Sequence, residues 1–161
     1  MMSDAPRTNY FRGQALDRLQ SDTDLTDLLE TAPSVDDGAS AIVPAPYLEK
    51  LHDDPNEDPP DVAVAVSVVV SSSSRRNNQE DVNVELQTDL QVRKQTLWSL
   101  GLAWIDKIRD AVSDEMTRHE AGWHAGGEVG GTPEPLWNDD INRYHVVQRF
   151  DVSSSDAREL A

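Results

Sequence analysis

The sequence predicts an α+β fold, an antiparallel sheet of about four strands packed by a long helix in the C-terminal half and a short N-terminal helix. Three observations carry this reading. Val62-Ala63-Val64-Ala65-Val66-Ser67-Val68-Val69-Val70 is a valine-rich strand signal. From Val82 to Val92, Val82, Val84, Leu86, Thr88, Leu90 and Val92 alternate with Asn83, Glu85, Gln87, Asp89 and Gln91, as expected of a strand with one buried face. A helical stripe then follows directly, so the chain is expected to fold back over that apolar face.

In chain order, residues 1–13 read as a flexible lead-in and residues 14–152 as one α+β domain. Gln14 to Leu19 offers a short helical face of Ala15, Leu16 and Leu19. Ser21-Asp22-Thr23-Asp24 supplies N-cap chemistry for a second helical piece, with Leu25, Leu28 and Leu29 as its apolar side and Pro33 as its stop. Ile42-Val43 and Pro44-Ala45-Pro46-Tyr47-Leu48 predict a short extended stretch or edge strand, because each proline removes a ladder donor. The run from His52 to Asp61, acidic and rich in proline, reads as an exposed surface loop. It lacks the regular acidic ligands and central glycine of a calcium-binding EF-hand.

Ser71 to Glu80 reads as a ten-residue polar loop between the two strands. Arg75 and Arg76 within it are candidates for contact with an acidic neighbouring subunit. From Lys94 to His119, Leu97, Leu100, Trp104, Ile108, Val112 and Met116 recur at spacings of three and four. At 1.5 Å per residue that segment would span roughly 39 Å. Trp98 and Trp104 read as core, while Trp98, Leu102 and Ile105 widen the apolar surface enough for a second packing partner. Gly122 ends the helix, and a glycine-rich loop follows. Trp123 and Trp137 fall in loops, either as plugs at the ends of the core or as interface anchors. Ile141 to Val152 reads as the last strand, with Tyr144, Val146, Phe150 and Val152 on one face. Residues 153–161 read as a flexible tail.

Composition narrows the function. Hydrophobic residues make up 37 % of the 161, enough for a modest core. The net charge is −16, with 20 aspartates to 10 glutamates and 11 arginines to 3 lysines. Hydrated carboxylates with few lysines fit a protein working in concentrated salt. At ~1 M ionic strength the Debye length is about 3 Å, and surface self-repulsion is screened. Stability is therefore expected to rise with salt; a melt that improves as salt is diluted away would contradict the halophilic reading.

The same charge argues against gripping nucleic acid by its phosphates. Without cysteine there is no thiolate nucleophile and no cysteine zinc site. No apolar leader or membrane-length apolar run is present, so no membrane association is expected. His119-Glu120 and His124 do not have the spacing of a zinc-protease helix, and the glycines from Gly126 to Gly131 lack a phosphate-loop lysine. No Gly-x-Ser-x-Gly elbow occurs. The expectation is a non-enzyme, with no catalytic, cofactor-binding or metal residues.

The element order is an N-terminal helical piece with Asp24-x3-Leu28-Leu29, an irregular Pro-Ala-Pro-Tyr region, then strand, loop, strand and long helix. Gly122-Trp123 and a closing Tyr144-His145-Val146-Val147-Gln148-Arg149-Phe150 strand complete it. Over residues 14–152 this order resembles the tail terminator and tail-completion proteins of long-tailed viruses. With the acidic, lysine-poor composition, it points to a virus of a salt-loving archaeon. The resemblance implies a homohexameric ring at the head-proximal end of the tail tube, assembled in the host cytoplasm and carried in the virion. Its implied partners are its own copies, the tail tube protein and a head–tail connector or neck protein, with DNA passing through the lumen. Another neck or stopper protein, a non-viral halophilic protein-binding module, and a small enzyme stay open as alternatives. Arg75, Arg76, Trp123 and Trp137 are the candidate subunit or partner contacts.

Overall fold

The computed structural model describes residues 5–76, 79–120, 122–131 and 134–154, and within them the side chains of 8–68 and 83–154. The fold is α+β. In chain order come α1 (Ala5–Gln20), α2 (Thr23–Glu30), a short 3-10 turn (Ala39–Ala41), β1 (Ile42–Pro44) and α3 (Ala45–Asp53). These are followed by β2 (Val62–Arg76), β3 (Gln79–Val92), α4 (Lys94–Leu100) and α5 (Leu102–Thr117). The chain closes with β4 (His124–Gly131), β5 (Leu136–Asn138) and β6 (Arg143–Ser154).

The sheet has six strands rather than about four. Its order is β1-β2-β3-β6-β4, with β5 also on β6. It is mixed rather than antiparallel throughout, because β1 pairs parallel to β2, Ile42 opposite Val64 and Pro44 opposite Val66. The sequence reading places an edge strand here correctly but misses α3. Pro46 in the first turn of that helix costs nothing, because the N–H it removes has no helical partner there.

One sheet face carries the core. Val62, Val64, Val66, Val84, Leu86, Leu90, Val92, Val146, Phe150 and Val152 are all buried on it, as the alternation predicts. Thr88 and Gln148 are buried in the same face, and Gln148 donates to the Arg109 carbonyl at 3.0 Å. The helices over this face are arranged differently from expectation. It is α1 that lies against β2 and β3, while α5 lies on β6 and β4 and is flanked by α1 and α2. In α1, Phe11, Ala15 and Leu19 form a fully buried stripe at spacings of four. The ordered helix thus begins at Ala5, within the expected lead-in, and Phe11 belongs to the core.

Gly101 accounts for the second difference. Its φ of +87° suits glycine and stops the helical path, so the single rod expected from Lys94 to His119 is two helices. The chain redirects there, and α5 meets the part of the sheet that the last strands add. Leu97, Trp104, Ile105, Ile108, Val112 and Met116 are buried, but Trp98 is 68 % exposed, contrary to the core role expected of it. Trp104 ties α5 to α2, its Nε1 donating to the Leu28 carbonyl at 3.0 Å and to Thr31 Oγ1 at 2.9 Å. Asp22 caps α2 by accepting from the Leu25 amide at 3.1 Å, as its position predicts.

Three expected loops contain strands; that around Trp137 holds β5, paired with β6. Pairing of β2 with β3 runs from Val62–Val92 to Arg76–Gln79, so the supposed ten-residue loop is largely hairpin. The glycine-rich stretch after Trp123 is the edge strand β4, antiparallel to β6. Residues 153 and 154, assigned to the tail, end β6 with Ser154 buried.

Candidate functional site: an exposed aromatic patch beside a polar sheet face

The four residues named as contacts fare differently. Trp123 is buried at 3 % exposure. Its Nε1 donates to the Met116 carbonyl at 2.8 Å, and the Arg18 guanidinium lies 4.9 Å from its ring centre. It plugs the core end and is no surface anchor, because closing α5 onto β4 requires a large ring there. Arg75 and Arg76 sit in β2, opposite Glu80 and Gln79; their side chains lie outside those described. Trp137 is 42 % exposed on β5, packed edge-on against Tyr144 with ring centres 5.1 Å apart, and its indole N–H donates to Asp139.

Trp137 is part of a larger patch. Leu97, Trp98, Gly101, Leu102, Asp106, Glu134, Pro135 and Tyr144 line a surface groove of about 610 Å³. Tyr144 connects this groove to Trp137. Leu102 is 62 % exposed; Leu136, next to Trp137 in β5, points to the other sheet face, opposite His145. The Gly101 break creates the patch: it ends α4 while Trp98 faces outward and restarts the helix with Leu102 uncovered. Lys94 Nζ lies 4.5 Å from the Trp98 ring centre, and its ammonium covers part of the indole face. Trp98, Leu102 and Trp137 together make this patch the candidate interaction surface, since aromatic residues concentrate at the energetic centres of interfaces.

The other sheet face is polar. There α3 covers one end, with Leu48 buried against Ala63 and Ala65. Beside it, an open cleft of about 410 Å³ is lined by His52, Ser67, Gln87, Asp89, Gln91, Asn138 and Ile141, among others. His52 Nε2 donates to Gln91 Oε1 at 2.8 Å, because the Gln91 amide nitrogen is itself donating to Asp89 Oδ2 at 3.1 Å. Asp89 Oδ1 is 3.5 Å from His145 Nδ1. The register places Gln91 opposite His145, which makes Asp89 and His145 diagonal neighbours on one face. Burial pushes the Asp89 carboxyl above the ordinary aspartate range, and the Gln91 hydrogen bond and nearby His145 and His52 only partly offset this.

This network missed detection because neither histidine has a metal or catalytic partner nearby in sequence. The signal available was Asp89 and Gln91 two apart on a polar strand face, with His145 likewise outward on the last strand. Among the described residues no group of three metal-ligating side chains comes together. His119 and His124 lie with ring centres 5.1 Å apart at the surface.

A raised folded-state carboxyl binds its proton more tightly than the unfolded chain does. The Asp89 contribution to stability is therefore greatest in acid and falls as pH rises from the ordinary aspartate value through the folded one. Asp89→Asn, neutral at every pH and still able to accept from Gln91, is expected to flatten that decline and to match or exceed wild-type stability at pH 7. Urea midpoints of both proteins between pH 3.5 and pH 7 measure it.

No described helix is long and apolar enough to cross a membrane. No protein-family model matches this chain, and no curated protein matches it.

Proposed function

We propose that this chain is a structural virion protein: a subunit of a ring, six-membered on the resemblance, that closes the head-proximal end of a viral tail tube. It ends tube polymerisation and offers the head connector a docking surface. The observation that carries the reading is the exposed patch of Trp98, Leu102 and Trp137, which an α+β body presents on an acidic chain. A subunit that works by fitting to its neighbours needs an uncovered apolar surface of this kind; truncating one aromatic anchor at the centre of an interface costs about 2 kcal/mol or more.

Two further features support it. Beyond the last described β3–β6 pair, Val82–Ser154, β2 and β3 continue to pair with each other over residues 74–76 and 79–81, a two-stranded arm among the described residues. At about 3.3 Å per residue it extends roughly 10 Å past that pair. The net charge of −16 would repel DNA phosphates from a lumen, letting the genome pass without adhering. The same charge with so few lysines suits assembly in concentrated salt, as in a virus of a halophilic archaeon.

Immunogold labelling of tailed particles that carry this chain tests the assignment. Label confined to the junction of head and tail is the expected result. Label distributed along the tube, or particles free of the chain, would refute it. Label on the connector side of the junction would transfer the assignment to a neck protein.

A further inference from the structure

The two outer edges of the sheet are built to meet. β1 covers β2 only at Val64 to Val66, so from Ser67 to Arg76 the outer edge of β2 has no strand partner among the described residues. At the opposite side, β4 pairs with β6 and its outer edge has no strand partner among the described residues.

These open edges lie at the same height. Ser72 leads across the sheet through Asn83 and Ser153 to His124, and Ser71 through Val84 and Val152 to Ala125. Val68 leads through Leu86 and Phe150 to Glu128. Between the last two rows the inner strands hold a single residue each, Glu85 and Asp151. Each outer strand holds two: Val69 and Val70 in β2, Gly126 and Gly127 in β4. A bulge against the interior of the sheet thus occurs at the same place on both edges, which match residue for residue from Val68–Glu128 to Ser72–His124; a second bulge at Val129 of β4 lies just outside that stretch. β2 and β4 also run in opposite senses, because each step across the sheet between them is antiparallel.

We infer that β4 of one copy pairs antiparallel with the open edge of β2 on the next, from Val68–Glu128 to Ser72–His124, so that the sheet continues across the subunit boundary. This rests on the ring reading above and names its interface. Opposite edges joined head to tail form a heterologous contact, which closes into a ring when successive copies do not climb. Equal heights of the two edges supply that condition. Glycine keeps side-chain bulk off β4: Gly126, Gly127 and Gly130 carry no side chain, and a Cβ placed at any of them would meet nothing within 4 Å. The bulges also blunt pairing with any flat strand, so the contact favours its own kind.

The chain has no cysteine, which makes disulfide trapping specific. Two double variants, Ser71→Cys with Ala125→Cys and Ser72→Cys with His124→Cys, place thiols on adjacent facing pairs. Ser71→Cys with Glu128→Cys is the mismatched control. Oxidised in molar salt, at least one matched variant is expected to give a reducible ladder of covalent multimers, in at least tenfold excess over the control. Particles of ring mass whose matched variants cross-link no better than the control would overturn this interface and leave the ring reading standing. A strict monomer at every concentration would overturn both.

Discussion

Arg18→Ala is expected to destabilise the fold by about 3–5 kcal/mol, the usual consequence of removing one partner from a buried ion pair. The Arg18 side chain is 7 % exposed. It donates to the carbonyls of Glu115 at 2.8 Å and Arg118 at 2.7 Å, and to Glu120 Oε2 at 2.7 Å. Its Nε is 3.7 Å from Glu115 Oε1, and its guanidinium lies on Trp123. One side chain of α1 therefore satisfies the end of α5 and holds the approach to β4. Desolvation already pushes the Glu115 carboxyl above its ordinary range despite Arg118 and Arg18. Without Arg18, two carbonyls and a half-paired carboxylate are left in a poorly hydrated place. Arg118 still reaches Glu115 at 2.8 Å, which limits the loss. Arg18→Met keeps the packing on Trp123 and is expected to recover part of the stability. Urea unfolding in molar salt measures all three proteins, and a loss below 1 kcal/mol for the alanine variant would contradict the assigned role.

The second large effect is on assembly. Trp98→Asp with Leu102→Asp is expected to leave the thermal midpoint near that of wild type, because both side chains are already in water. Association should weaken by roughly a thousandfold or more. Burying each new carboxylate against an apolar partner costs several kcal/mol, and about 1.4 kcal/mol is a factor of ten. Sedimentation of the variant across a concentration series gives the shift. An unchanged association constant would remove this patch from the interface.

Much of the architecture is legible in the chain because burial on one face leaves a period of two or of three to four. The core sides of β2, β3 and β6, the capped α2 and the stripe of α5 all follow from that rule. What escapes detection has specific causes. The break at Gly101 is hidden because the stripe continues through it: Leu97, Leu100, Trp104 and Ile108 keep helical spacing while the backbone takes a positive φ. Ser71 to Arg76 reads as loop by its polarity, yet pairs as strand because β3 supplies a partner row by row. β4 has almost no side-chain pattern to read, being half glycine; its pairing with β6 is a tertiary effect.

Of the four named contact residues, Trp137 is at the surface and Trp123 is internal, and no periodicity distinguishes a plug from an anchor in a short irregular stretch. Trp98 is the reverse case, a helical tryptophan read as core that the turn at Gly101 leaves outside. The polar network of His52, Gln91, Asp89 and His145 depends on α3 lying beside β3, a long-range placement with no local trace.

The whole reading depends on copies of this chain fitting to one another. Particle mass by light scattering in molar potassium chloride, over a wide range of protein concentration, addresses that most directly. A single discrete species of six chains is predicted. A monomer that persists at the highest concentration, with the patch around Trp98 still accessible to solvent, would contradict it.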